Sequence, residues 1–542
     1  MVRVVALAAV LLGASGVSAR GSGTLAIRKV GEYVPDVFDA QLEILAYDEV
    51  TGLVFATTGE GESGAPAGIS IFEFDGNDMS KLDFFETAQF CSGDPTSVAA
   101  KNGALAIACP AATTSEDGKV LILKDTARWA RRGFPAWMIS TADAGSLPDM
   151  VTFSPNGQVI LAANEGEPDD ETPRLADPAG SITIVKAKNS GWSKYTTCQA
   201  RFNSFNGNER MLQRSGTRVG IFRGSSVAKE VEPEYIAVSD DSNWAFVTLQ
   251  ENNAIAKVDI RKCEVTDIFG MGYKDWSGLK LDVSDEDGPV DAEGELTGIM
   301  KLVNPAARYD TKLLGMYMPD SIVYATLKGK GYVITANEGD AREYEAASAE
   351  YIDEARGEDF LTGTMATPTR LGRLQVCAPD IFPMPATFTD TVYPFGARSF
   401  SIWGTDGKLV FDSGDFIETY IAENYPEWHN SEGINADGSI ESYDARSDAK
   451  GPEPEGLVVF NMGSKTFLGV GLERVGGWMM FDITNPRKVY FHDYVNTAGD
   501  RGPESAVFIP GKHPLIVSAF EETGTLAVYK IGRGSGRPIR VR

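Results

Sequence analysis

The feature that most constrains the fold of this chain is a two-acid repeat. Six times an acidic residue opens an apolar, β-like run and a second acid closes the next run, at offsets of 17, 16, 17, 18, 18 and 17 residues. The pairs are Glu43 with Glu60, Asp149 with Glu165, Glu234 with Glu251, Asp320 with Glu338, Glu455 with Glu473, and Glu504 with Glu521. Proline usually precedes the opening acid, as in LPDMVTF, EPEYIAV, MPDSIVY, EPEGLVV and GPESAVF. A further copy, DPTSVAA, has Thr96 and Ala111 at the two acid positions. A repeat of this kind means that one unit cannot bury its own apolar face and must stack on its neighbours.

After each second acid, a Gly/Asn-rich turn leads to a third strand: ISIFEFD, VLILKD, ITIVKAK, AIAKVDI, RLGRLQV from Arg370, WMMFDI and TLAVYKI. Val, Ile and aromatic residues at near period two mark these as strands, and Asp-Gly and Asn-Gly pairs mark turns. A fainter fourth strand is legible in LDFFETAQF, AWMISTAD, FSIWGTDGKLVF and VYFHDYV. The seventh unit has none, whereas GTLAIRKVGEY, from Gly23, precedes the first unit without a unit of its own. Pairing it with TLAVYKI would leave no large open edge. The expected fold class is therefore all-β: a seven-bladed β-propeller with long inserted loops, the ring closed by an N-terminal strand, over residues 20–533. Spacings of 53, 53, 85, 86, 135 and 49 residues between unit starts place the surplus in insertions near 186–231, 263–315 and 341–451.

Arg3, the nine-residue apolar run Val4–Leu12 and Val17-Ser18-Ala19 read as a secretory signal over residues 1–19, the run being too short for a membrane span. Residues 534–542 form a basic tail. With 50 Lys plus Arg against 76 Asp plus Glu, the net charge of −26 excludes a nucleic-acid binder held by phosphate contacts. No stretch is expected to span a membrane, and the location expected is extracellular, with surface association an open alternative. Of five Cys, Cys91 and Cys109 are the pair favoured, and an odd count leaves one unpaired or bonded to another chain. There is no Asn-x-Ser/Thr acceptor for N-glycosylation.

In a propeller the innermost strand of each blade lines the axis, so the opening acids should converge there. The expected metal-holding set is Glu43, Asp149, Glu165, Glu234, Glu251, Asp320, Glu338, Asp340, Glu455, Glu473 and Glu504. Carboxylates crowded in a channel raise one another's pKa unless cations compensate. With three His and no CxxC or HExxH, no zinc site of the usual kind is encoded, and the donor set suits calcium, with magnesium second. The bland alternative is that these acids cap strand ends. Arg342, Arg398, Arg474 and Lys450 stand near strand ends and could fork onto phosphate or carboxylate oxygens, or pair with the acids themselves.

The ordered motifs LPDMVTF, ANEGEPDDE, EPEYIAVSDDS, TLQENNA, TANEGDAREY, RSFSIW, LVFDSGD, KGPEPEG and GLERVGG resemble the secreted choice-of-anchor I family. That family includes proteins named mesenchyme-specific cell surface glycoprotein and is similar to the atypical alkaline phosphatases of cyanobacteria and algae. The resemblance implies a secreted propeller and a phosphatase label for some members. Glu234, Glu338, Asp340, Arg342, Glu455 and Glu473 match its motifs. The chain departs at Ser505, where the family pattern often reads GPEG, and at Ala449, where an acid is common before KGPEPEG. Two functions follow as expectations. One is calcium-dependent hydrolysis of a phosphate ester or other small anionic substrate. The other is a non-enzymatic propeller that binds a cell-wall or matrix component, with structural calcium.

Overall fold

A computed structural model describes residues 23–542 apart from 36–40, 60–63, 65, 76–77, 127–137, 169–176, 190, 222–223, 290–297, 343–353 and 379–390. The signal-like segment and Glu60 lie outside the described residues. Among the described residues the chain is all-β in its main body, with seven antiparallel sheets of four or five strands. They follow the sequence repeat and are called units 1 to 7. Unit 3 shows the pattern: Pro148–Phe153, Val159–Asn164, Ser181–Ala187 and Tyr195–Arg201 pair in chain order. Unit 7 departs from it, because its three strands Ala506–Ile509, Leu515–Phe520 and Thr525–Arg533 are completed by Leu25–Tyr33 from the other end of the chain. The expected partnership of GTLAIRKVGEY with TLAVYKI is thus observed as eight residue pairs, from Leu25 opposite Arg533 to Tyr33 opposite Leu526.

The apolar faces of successive sheets share cores. Phe55, Ile69 and Ile71 of unit 1 pack with Leu105, Ile107 and Leu121 of unit 2. Leu161 and Ile184 of unit 3 pack with Val247 and Ala256 of unit 4. The last cluster joins the two ends: Val517, Leu526 and Val528 of unit 7 pack against Leu42, Val54 and Phe72 of unit 1.

The strand assignment of unit 5 differs from expectation. RLGRLQV is not its third strand; Gln375–Cys377 pairs instead with Glu354–Arg356 in a separate two-stranded sheet. The third strand is Ser399–Gly404 and the fourth Leu409–Asp412, so FSIWGTDGKLVF is a hairpin of two strands turning at Gly404–Lys408. Units 3 and 4 also own fourth strands, Tyr195–Arg201 and Glu264–Gly270, within stretches read as insertion. The basic tail contributes Ile539–Arg540 as a fifth strand beside Tyr490–Phe491 in unit 6.

The remaining insertions form a satellite layer. Trp276, Leu281, Val283 and Leu313 pack with Leu371, Leu374, Val376 and Val392 in a core of their own. Cys91–Cys109 is disulfide-bonded as favoured, Cys198–Cys263 is a second bond between units 3 and 4, and Cys377 is buried and belongs to neither disulfide. No helix among the described residues is long and apolar enough to cross a membrane.

The core shared by units 7 and 1 is testable. Leu526 is fully buried there. Leu526→Ala is expected to cost about 2–5 kcal/mol in denaturant unfolding, whereas Val50→Ala at an exposed turn should stay within about 0.5 kcal/mol.

Candidate functional site

Where both acids of a repeat are described, strand register brings them together. In unit 3 Pro148 pairs with Asn164, which sets Asp149 and Glu165 side by side at one end of the hairpin. Pro454 with Leu472 does the same for Glu455 with Glu473, whereas in unit 4 Pro233 pairs with Leu249, so Gln250 takes the adjoining place and Glu251 follows one residue later. In units 1, 3, 4 and 6 the register then slips by one residue, between Leu42 and Leu45, Pro148 and Val151, Pro233 and Ile236, and Pro454 and Leu457. Glu43, Asp149, Glu234 and Glu455 each sit inside that bulge. An extra residue unpairs the inner strand locally and re-aims a side chain, a device common beside functional sites. Thr57 and Thr248 hydroxyls accept the amides of Ile44 and Tyr235 that the bulge releases from the ladder, at 3.0 and 2.9 Å.

Neighbouring units are stitched at the same level. The Val151 amide donates to Ser97 Oγ at 3.2 Å, and the Leu45 amide donates to Ser505 Oγ at 3.1 Å. Ser505, a departure from the family pattern, thereby links unit 7 to unit 1. Gly456 is required by close approach, since a Cβ there would lie 2.5 Å from the Glu504 carbonyl oxygen.

These elements enclose a cavity of about 270 Å³ lined by Glu43, Asp149, Glu165, Glu234, Asp320, Glu504 and Glu521, with Thr96 and Tyr235. Tyr235 Oη donates to Glu504 Oε1 at 3.0 Å, tying units 4 and 7 across it. Glu455 adjoins Glu504 and lies next to this group. In the second unit, where Thr96 stands at the opening-acid position, its hydroxyl donates to the Pro148 carbonyl at 2.7 Å.

The electrostatics follow from crowding. Burial, then the charges of Glu521, Glu504 and Asp149, pushes Glu43 up to about 7. Burial and Glu504 push Asp149 up to about 6. Glu165, Glu234, Asp320 and Glu455 are held well above the ordinary carboxylate range by burial first and by neighbouring acids second. Among the described residues no Lys or Arg forms an ion pair with any of these six or with Glu504. Glu234 Oε2, Glu251 Oε2, Asp320 Oδ2 and Glu455 Oε2 are buried without a hydrogen-bond partner. Oxygen-only donors with orphaned atoms fit a hard cation such as Ca²⁺.

The other expected residues form a second tier. Glu338 and Glu473 come together with Glu453, one oxygen of each lying within 4.8 Å of the others. Burial and Asp340 push Glu338 up to about 8, and Gln250 donates to its Oε2 at 2.6 Å. Lys450 Nζ bonds Asp340 at 2.5 Å, and Arg474 reaches Glu473 at 2.9 Å and Glu453 at 3.1 Å. Glu251 is raised by burial and Glu232, while Arg342 opposes the shift. Arg342 itself is buried on Glu232 at 2.8 Å. Arg398 belongs elsewhere: its guanidinium bonds Glu418 at 2.7 Å and the carbonyls of Asp282, Ser447 and Ala449. Those bonds pin the satellite layer, and none goes to a ring acid. Glu453, Tyr235 and Gln250 were not singled out from the sequence; Glu453 is two residues from Glu455 inside KGPEPEG but outside the repeat spacing.

A family model described as Choice-of-anchor I domain matches residues 43–486. The mesenchyme-specific cell surface glycoprotein of Strongylocentrotus purpuratus is 29% identical over 298 residues, 48% of this chain and 36% of that protein. The chain therefore spans about a third of that relative's length. Gigasin-3a of Magallana gigas is 34% identical over 204 residues, 33% of this chain and 68% of that protein. Among solved structures, hydrazine synthase of Kuenenia stuttgartiensis matches with a TM-score of 0.46 and 11% identity, over 92% of this chain and 96% of that one. A β-propeller domain is another structural neighbour.

The raised carboxylates set a pH dependence. A folded-state pKa above the unfolded value means that the folded state binds more protons between the two, so stability falls as pH rises. For Glu43 and Asp149 the window runs from about pH 4 to about 7. Chelator-treated protein is expected to melt at progressively lower temperature from pH 5 to pH 8. Millimolar Ca²⁺ should flatten that profile, as read by scanning calorimetry.

Proposed function

The chain belongs to the choice-of-anchor I family, and we propose that it acts as a secreted, calcium-dependent phosphomonoesterase built on a closed, seven-bladed β-propeller. The closed ring is supported by the seven repeated sheets, by the Leu25–Tyr33 strand along Thr525–Arg533, and by the core that units 7 and 1 share. An extracellular location is supported by the signal-like N-terminus and by the relative named a cell surface glycoprotein.

One observation carries the metal reading: acids from six units line or adjoin one cavity with no Lys or Arg ion-paired to them among the described residues and with buried oxygens left unbonded. Bound Ca²⁺, with Mg²⁺ second, would supply Lewis acidity toward a phosphoryl oxygen and a more acidic water. Glu43, Asp149, Glu165, Glu234, Asp320, Glu455 and Glu504 are the residues proposed to hold it, with Glu251, Glu338, Asp340 and Glu473 in the second tier. Arg474, whose side chain is 33% exposed beside Glu473, is the cation best placed to meet an anionic substrate. Lys450 lies at the same edge, on Asp340. Arg342 and Arg398 are buried on Glu232 and Glu418, so they position neighbouring elements instead of touching substrate. A phosphate ester is proposed as substrate only on the expectation, carried by the family resemblance, that some members act as atypical alkaline phosphatases.

A second reading is favoured by a specific fact. Each of the four cations singled out is already on a carboxylate. That arrangement also suits a non-enzymatic propeller that binds a surface or matrix component and uses calcium only for rigidity.

The discriminating experiment is hydrolysis of a chromogenic phosphomonoester by chelator-treated protein before and after Ca²⁺ is restored. The enzyme reading expects activity only with Ca²⁺, reduced about a hundredfold in Glu455→Gln with the melting temperature retained. Ca²⁺-raised melting without hydrolysis in either state would select the binding reading. Full activity in Glu455→Gln would move the chemistry away from these carboxylates.

A further inference from the structure

The satellite layer holds a second cluster that has no relation to the repeat. Asp282, His429 and Asp444 are each 1% exposed or less, and one ligand atom of each lies within 4.8 Å of the others. His429 Nε2 is 3.3 Å from Asp282 Oδ2 and 3.9 Å from Asp444 Oδ1. Asp282 lies 147 residues from His429 in the chain, whereas His429 and Asp444 share one segment, and several hydrogen bonds hold the three together. Asp282 Oδ2 accepts the Lys301 amide, and the Asp282 carbonyl accepts from Arg398. Asp444 Oδ1 accepts from Ser447 Oγ at 2.7 Å, and the Asp444 amide donates to the His429 carbonyl. Asp444 keeps a left-handed backbone at φ 65° to stay in place.

Charge bookkeeping singles this cluster out from its surroundings. The nearby acids each have a basic partner: Asp285 has Arg373, Asp287 has Lys301 and Arg308, Asp448 has Arg356 and Arg373, and Glu418 has Arg398. Asp282 and Asp444 have none among the described residues; the imidazole alone faces them. Asp444 Oδ2 and His429 Nδ1 are fully buried and make no hydrogen bond. Two buried carboxylates against one imidazole leave a site short of positive charge, and an isolated buried charge is costly.

We propose that Asp282, His429 and Asp444 form a structural site for a single divalent transition metal of the Zn²⁺ class, distinct from the carboxylate cavity. One nitrogen and two carboxylate donors suit Zn²⁺ better than Ca²⁺, which prefers six to eight oxygens. With Asp444 binding through both oxygens, its Oδ2 being buried and unbonded, the four donors of a closed structural site would be met, and the ion would lock residues 282, 429 and 444 of the satellite layer together. Such binding is folding free energy, because the ligands come together only in the folded chain.

The site is tested on the full chain produced with Zn²⁺ in the medium and dialysed against millimolar Ca²⁺. Elemental analysis is expected to find one Zn²⁺ per chain, lost in His429→Gln and in Asp444→Asn. Because those variants also disturb packing, the wild-type protein produced with Co²⁺ gives an independent readout by X-ray absorption. An imidazole nitrogen in the first shell is expected. A shell of oxygen alone, absence of retained metal, or equal Zn²⁺ in His429→Gln would each overturn the proposal. The outcome is separable from that at the cavity, since Glu455→Gln should keep its Zn²⁺.

Discussion

Repulsion among carboxylates held at the starts of inner strands is the constraint around which the rest of the molecule is arranged. A hairpin that pairs the residue before the first acid with a residue one or two before the second brings two negative charges together in each of several units. Adjoining units then bring those pairs to one cavity. Such an arrangement is unfavourable in isolation, and the large buried cores between sheets are what hold it. The bulges, the threonine hydroxyls behind Glu43 and Glu234, and the seryl links from Ser97 and Ser505 fix the geometry against that repulsion. Protons or cations must complete the charge balance.

The insertions respond to the same field. Arg446 and Lys450, at the end of the helix-containing segment 413–450, reach back toward Glu453 and Asp340, and Arg474 joins Glu453 from the neighbouring strand end. Among the described residues, cations thus gather on the Glu338, Glu453 and Glu473 side and form no ion pair with the cavity acids. Farther out, Arg398 binds the satellite layer through three carbonyls and Glu418, so the layer that carries Asp282, His429 and Asp444 is tied to the third strand of unit 5.

Much of this was legible in the sequence, for physical reasons. Second strands such as Leu53–Thr58, Val159–Asn164 and Leu515–Phe520 are buried on both faces, and acids recur at nearly fixed offsets around them, which made the units and most ring residues readable. Outer strands were harder to read. Tyr195–Arg201 is largely solvated, so its apolar alternation is diluted and its strand was missed. RLGRLQV carries a strand-like pattern but satisfies it against Glu354–Arg356, while the true third strand of unit 5 follows a long excursion. Glu453 lies off the repeat spacing, and Asp282, His429 and Asp444 sit in insertions with no period at all. Tertiary packing alone brings them together. The cations near strand ends were visible, but their partners were not: Arg398 reads like Arg474 in sequence and serves a different part of the structure.

The central claim is that the cavity carboxylates hold a cation that displaces protons. Its most direct test is calorimetric titration of Ca²⁺ into chelator-treated protein at pH 7, repeated in two buffers of different ionisation enthalpy. The expected result is saturable binding with proton release on each addition, because Glu43 and its neighbours are partly protonated before the ion enters. Absence of binding, or binding heats identical in both buffers, would contradict the account.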